Sequence, residues 1–448
     1  MKQLQEIAEY IIGQAKRKGA DEVDVVILNS RRSSVTVRLG NIEELKQANP
    51  QSLGIRVFKD QRNAITYTSD FRKPSLDGLI DRTLSMVKVT NRDEFAGLPQ
   101  QELLGRAGGD LKLYDPALPE LATDKKIEMV TELEELGMAK DPLIKNSDGC
   151  SWSDSISHFV LANSKGFYGE EHYSSCALDL TLVAEKDGVK QRDYWGSNVR
   201  HLAQIESLES IAEKAAQRTV RKVGARKPKT CKVPVIFDPQ TARDFITIIA
   251  NTVVGDAIYK RRSFLVDQLG KKIAVDDFSL VDDGLLPKGL GSRRFDDEGL
   301  PSRRNVVFEE GILKTYLCDC YAARKLQCKA TASASRTVGS QPAPATSNFY
   351  LQKGRYTPEE MIASVREGLL LTDVHWVGIN YVTGDYSRGA EGIWIENGKL
   401  SYPVQEFTVA SNMNDMLRSI EMIGNDLEFR GSTNAPSFKM REMTISGA

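Results

Sequence analysis

The sequence predicts an α+β protein of two domains: a mixed α/β-layer N-terminal domain over residues 1–223 and a largely β C-terminal domain over 224–448. Three observations carry this. A chain of 448 residues exceeds what one hydrophobic core usually organises. Helical stripes and strand alternation are mixed in the first half, whereas strand patterns and turn signals dominate the second. Between them lies GARKPKT, residues 224–230, which is polar, carries Gly and Pro, and directly precedes the apolar segment CKVPVIFDP.

The first element is a helix. Leu4, Ile7, Ala8, Ile11, Ile12 and Ala15 form one stripe, and Lys16, Arg17 and Lys18 precede Gly19, as suits the negative end of a helix dipole. Short strands follow in EVDVVIL, SSVTVRLG, GIRVFKD and NAITYTS, the last two joined by the turn KDQRN. SLDGLIDRTLSMVKV and DKKIEMVTELEELGMAK then read as amphipathic helices. A second strand group runs from about Ser153 to Ser197, divided by turn signals at residues 163–166 and 185–188. The helix SLESIAEKAAQRTVRKV, with Ser207 as its cap, completes the domain.

In the second half, KKIAVDDFSLVDD reads as a strand pair or a bent strand. NVVFEEGILKTYLCD reads as a hairpin turning at residues 309–311, and Asn397-Gly398 between apolar strands is the strongest short hairpin signal in the chain. Residues 329–348, rich in Ala, Ser, Thr and Pro, predict a long mobile loop.

Sixty basic residues against sixty-one acidic ones leave no basic excess, which argues against direct nucleic-acid binding. No apolar run is long enough for a transmembrane helix, and the amphipathic first helix is not a signal peptide, so a cytoplasmic location is expected. The six cysteines, at 150, 176, 231, 318, 320 and 328, are too sparse for a disulfide framework and read as reduced core thiols. Cys318 and Cys320 would share a strand face with Cys328 on the next helix, but a metal site there lacks an evident fourth ligand.

His158, His172, His201 and His375 have no metal-binding spacing, and no P-loop or G-x-S-x-G motif occurs. The acid pairs in FDDEG (295–299) and VDDG (281–284) point opposite ways on an extended chain, so turn acids are the simpler reading and acid–base catalysis the alternative. The stretch GSRRFDDEGLPSRRNVVFEEG, residues 291–311, packs four arginines and five acids around three glycines and a proline. Its arginines either neutralise acids within the loop or clamp carboxylate or backbone groups of a peptide or partner.

GLGSRRFDDEGLPSRRNVVFEEGILKTYLCDCYAARKL (289–326) and TGDYSRGAEGIWIENGKL (383–400) resemble the signatures of the TldD/PmbA family, and SVTVRLGNIEELKQANPQSLGIRVFKD resembles that family's first domain. The resemblance extends over nearly the whole chain. It implies dimers enclosing a peptide-cleaving chamber and two kinds of chain: a TldD-type zinc protease with H-E-x-x-x-H and a further cysteine ligand, and a PmbA/TldE-type chain that pairs with it and lacks this motif. Aligning Gly255-Asp256 with the dipeptide after the zinc motif puts Ile246, Thr247 and Asn251 at the His, Glu and His positions. No histidine occurs between residues 202 and 374. Isoleucine offers zinc no lone pair, threonine is no carboxylate base, and one asparagine oxygen cannot hold the ion alone.

The resemblance therefore implies no catalytic residue and no metal or cofactor in this chain, with zinc expected only in a TldD-type partner. Gly291, Arg293, Asp296, Asp297, Gly299 and Arg303, with Thr383, Gly384, Asp385 and Ser387 in a neighbouring turn, are the candidates for chamber wall or dimer interface. Expected partners are a TldD-type subunit or a second copy, and an unfolded peptide. A stand-alone homodimeric peptide- or protein-binding protein is the alternative function, and modulator of DNA gyrase is the family's historical label.

Overall fold

The structure, a computed structural model, describes residues 2–375 and 378–447. The fold is α+β. The N-terminal elements are α1 (Lys2–Arg17), β1 (Glu22–Arg38), β2 (Asn41–Ala48), β3 (Gln51–Lys59), β4 (Arg62–Thr68), α2 (Lys73–Val87), α3 (Thr123–Met138), β5 (Ile144–Asn163), β6 (Tyr168–Lys186), β7 (Val189–Val199) and α4 (Leu208–Val220). Their strands make one antiparallel sheet in the order β4-β3-β1-β5-β6-β7, with β2 beside the distal half of β1.

EVDVVIL and SSVTVRLG, expected as separate strands, are one continuous strand of 17 residues, because β5 pairs with β1 along both halves. Alternation assigns its faces. Val23, Val25 and Ile27 meet α1 and α2, while Val35 and Val37 meet α3 and α4. Asp24 and Val26 point the other way, where the C-terminal domain covers them. The second strand group starts at Ile144, earlier than the turn signals suggested.

The C-terminal elements are β8 (Cys231–Phe237), α5 (Pro239–Thr252), α6 (Gly255–Tyr259), β9 (Leu280–Asp283), β10 (Arg304–Glu309), β11 (Ile312–Leu313), α7 (Cys320–Leu326), β12 (Ala334–Ser335), β13 (Ala343–Pro344), β14 (Phe349–Leu351), α8 (Pro358–Ala363), β15 (Glu367–Val374), β16 (Asp385–Glu396), β17 (Lys399–Asn412), α9 (Met413–Ser419), β18 (Ile420–Ile423), β19 (Thr433–Asn434) and β20 (Phe438–Ser446). Strands β17-β16-β15-β8-β20 close into a barrel because β17 also pairs with β20. A second sheet runs β11-β10-β9-β14-β19. The core lies between barrel, second sheet and α5, where Phe245 of α5 packs on the stacked rings of Phe237 and Phe438, 4.7 Å apart. Burying each of these rings contributes about 2–3 kcal/mol.

Asn397-Gly398 joins β16 to β17 with both residues at positive φ, the mirror-image turn that matches strand twist. Asp187-Gly188 and Glu310-Gly311 do the same between β6 and β7 and between β10 and β11. Residues 271–283, expected as a strand pair or bent strand, form only β9 and a single bridge from Lys272 to Ile312. The expected mobile loop at 329–348 is instead a short hairpin, β12–β13, laid on the N-terminal sheet. No helix among the described residues is long and apolar enough to cross a membrane.

Candidate functional site

The segment expected to match the zinc helix forms two helices rather than one. Asp238 caps α5 by accepting the Gln240 and Thr241 N–H groups, and Pro239 sets its first turn. The helix ends at Thr252, and the chain turns through Val253 and Val254 into α6. Gly255 is required at this corner: a Cβ there would lie 2.7 Å from Cys318 Sγ and 2.8 Å from Ala322 Cβ. Asp256 anchors α6 through Tyr259, Lys260 and Arg262.

Residues at the aligned metal positions do not fit zinc. Ile246 is fully buried among apolar side chains, and Thr247 donates its hydroxyl to Arg243 O at 2.9 Å, a bond within the helix. Asn251 faces solvent, away from Ile246. The described residues contain no group of three or more His, Cys, Asp or Glu placed to hold a metal ion. The cysteines expected on one strand face are arranged differently too, since Cys320 opens α7 and Cys318 lies in the chain before it.

The charged stretch is the joint between the domains. Asp296 is fully buried, and its two oxygens accept N–H groups from Glu298 at 3.0 Å, Leu300 at 2.9 Å and Ala334 at 3.1 Å. Burial and the neighbouring Glu298 carboxylate raise its pKa to about 7. Asp297 accepts the Arg336 N–H at 2.7 Å and pairs with Arg293 at 3.5 Å. Arg294 crosses to the N-terminal domain and binds Glu171 at 2.5 Å. Arg303 stays exposed at the mouth of a cavity of about 540 Å³ beside Cys328. Gly299 has φ of +90° and lies against the Phe167 ring, while Gly291 approaches Ser347 so closely that a Cβ would sit 2.3 Å from its carbonyl oxygen.

These acids hold the 333–347 segment against the N-terminal sheet. There Arg336 reaches Asp24 at 2.9 Å, and Asp24 also binds Arg56 across the β1–β3 pair. Burial opposes the charge on Asp24, but Arg336 and Arg56 more than offset it and hold its carboxyl below the usual range. Nothing local in the sequence marks this trio, because Arg56 and Arg336 lie 32 and 312 positions from Asp24.

The second group forms a separate turn. Thr383 donates to Asp385 at 2.5 Å, Asn412 donates to both Asp385 and the Thr383 carbonyl, and Gly384 takes φ of +82°. Ser387 is exposed at the start of β16, its N–H bound to Gly378 O. Among the described residues, no hydrogen bond or ion pair joins this turn to residues 291–303, so the structure does not bring the two candidate groups together.

One cleft between the domains was not signalled by any sequence motif. It has a volume of about 480 Å³ and opens at the start of α5, with Asp179, Trp195, Gln240 and Arg243 on its walls. Arg430 lies 3.7 Å over the Trp195 ring and is fixed there by Glu206 at 2.8 Å. Burial raises the pKa of Asp179, with only the charge of Arg430 opposing it. Trp195-Gly196 could have been noticed in β7, since Gly196 leaves room for the Asp179 carboxylate at a point where a Cβ would approach within 1.9 Å.

Family models of the PmbA/TldA metallopeptidase match residues 23–87 as domain 1, 116–223 as the central domain and 230–447 as the C-terminal domain. Metalloprotease PmbA of Escherichia coli O157:H7 is 31% identical over 428 residues, covering 96% of this chain and 93% of that protein. A TldD homolog of Haemophilus influenzae is 21% identical over 457 residues, covering 96% and 94%. Among solved structures, a Bacteroides thetaiotaomicron protein described as a modulator of DNA gyrase superposes with a TM-score of 0.93 at 28% identity, covering 100% of both chains. TldE from Thermococcus kodakarensis has the same fold, with a TM-score of 0.90 at 23% identity over 98% and 100% of the two chains. Matched along almost its whole length, this chain belongs to the PmbA/TldD metallopeptidase family.

Proposed function

We propose that the chain is a non-catalytic, PmbA/TldE-type subunit of a TldD-type zinc metalloprotease complex in the cytoplasm, where it helps form the chamber that holds unfolded peptide substrates. The observation that carries this reading is α5: at the positions that the resemblance places opposite the zinc ligands, Ile246 fills core space and Asn251 faces outward. Relatives that bear the name metalloprotease support the family context; zinc and the attacking water belong to the partner in this reading. Arg293, Asp297 and Arg303 then serve the wall or the subunit contact, and Asp296 supports them from below.

The test is affinity purification of the tagged chain from its native cells, followed by mass spectrometry, zinc analysis and a peptide-cleavage assay. The expected result is a near-stoichiometric partner carrying H-E-x-x-x-H, with zinc and chelator-sensitive cleavage found only when that partner is present. One zinc per chain and cleavage by this protein alone would overturn the proposal. Recovery of this chain alone would turn the reading to a homodimeric peptide- or protein-binding protein.

A further inference from the structure

Cys318 and Cys328 stand at the two ends of α7 with their sulfurs 3.8 Å apart. The chain builds this approach with local devices. Gln327 takes the left-handed conformation at φ of +53° and turns the chain back, so that the Cys328 N–H donates to Ala323 O at 3.0 Å. Thr331 ties the other side, accepting the Cys318 N–H at 2.7 Å on its hydroxyl and donating its own N–H to Cys318 O at 3.0 Å. A disulfide needs an S–S distance of about 2.0 Å, so side-chain rotation closes most of the gap.

The two thiols differ in surroundings. Cys328 is exposed on the cavity that Arg303, Arg324 and Lys329 line, so an external disulfide can reach its sulfur. Cys318 is fully buried against the Gly255 corner, and burial, with Cys328 beside it, holds its thiol protonated. Cys320 opens on the same cavity, but its backbone N–H is bound to Glu298 at 2.7 Å, and burial beside that carboxylate keeps its thiol protonated as well.

We propose that Cys318 and Cys328 form a redox-active dithiol site whose reactant is a low-molecular-weight disulfide. The Cys328 thiolate attacks one sulfur of the external disulfide, forming a mixed disulfide and expelling one thiolate. Cys318 then gives its proton to a departing thiolate and attacks the Cys328 sulfur, forming the Cys318–Cys328 bond and releasing the second small thiol. Two protein thiols are oxidised by two electrons, and one external disulfide is reduced to two thiols. The bond closes a loop around α7 and ties the lead into the 333–347 hairpin to the corner that follows α5.

The experiment uses the purified full chain with excess glutathione disulfide, alkylation of remaining thiols, and peptide mass mapping. The expected product links the peptides of Cys318 and Cys328 with loss of two hydrogens and no retained glutathione. Cys318→Ser should trap glutathione near-stoichiometrically on Cys328, Cys328→Ser should leave Cys318 unmodified, and Cys320→Ser should close the link as the wild type does. Wild-type protein that keeps glutathione on Cys328, links through Cys320 instead, or does not react at this pair would overturn the proposal.

Discussion

Two oxygens of Asp296 serve three backbone N–H groups, one of them 38 positions away at Ala334. A buried N–H left without an acceptor costs about 1–3 kcal/mol. At pH 8, above its pKa of about 7, Asp296 is ionised, and Asp296→Asn keeps the shape but replaces one acceptor with an NH₂ group that confronts a donor. It should lower unfolding free energy in urea by about 3 kcal/mol. A loss under about 1 kcal/mol would show that the N–H groups find other acceptors. Asp297→Asn should cost less, because Asp297 keeps partial contact with solvent and Arg336 N–H still meets an amide oxygen. FDDEG is legible in the sequence as a charged turn, and its glycine as the residue a positive φ requires. What each acid faces is not legible, because the partners come from β12, from α7 and from the other domain.

Elements announced by local signals are those the sequence reveals best. Amphipathic stripes found α1 to α4, and Asp-Gly, Glu-Gly and Asn-Gly found hairpin turns, since three to four residues decide each. The 329–348 hairpin escaped because small, polar and Pro-rich composition is common to mobile loops and to docked ones. Its position is decided by distant residues: Gly54 of β3 leaves space for Val338, Arg336 enters the Asp24 site, and Gln341 bonds Asn63. A Cβ on Gly54 would lie 1.9 Å from the Val338 carbonyl oxygen, so Gly54→Val should lift the hairpin without touching the helices on the opposite sheet face. Limited trypsin digestion should then cut after Arg336, whose side chain is only 3% exposed in the native protein. An unchanged digestion pattern would mean that the hairpin shifts as a unit and stays docked. The sequence did not reveal the break at residues 253–254, because β-branched residues there fit a helix or an extended corner alike.

Across the whole molecule the formal charge is close to zero, yet several carboxyls are enclosed in the C-terminal domain and at the domain joint. Burial raises Asp282 to about 6, Asp319 to about 6 and Asp296 to about 7, and it raises Glu298 as well. Each is higher than in the unfolded chain, where carboxyls titrate near pH 4. Between about pH 4 and pH 7 the folded protein therefore binds more protons than the unfolded chain, and its stability falls as pH rises through that interval. The acids held low by cationic neighbours, Asp24 and Asp193 among them, contribute stability that is complete once their unfolded forms ionise, so they add no slope above about pH 5. His158, lowered by burial, works in the opposite direction up to the usual histidine range, but it is one group against these four acids and against Glu171, Asp179, Asp238 and Asp244, which burial also raises. The urea midpoint should consequently be higher at pH 5 than at pH 8, by a loss of about 2–4 kcal/mol in unfolding free energy over the interval. Asp319→Asn should reduce that slope, since α7 keeps an oxygen for the Ala322 N–H while the titrating group is gone. A midpoint that rises toward pH 8 would show that these carboxylates are ionised and fully paired in the folded protein, and the joint would then be held by charge attraction rather than by proton-bearing acids.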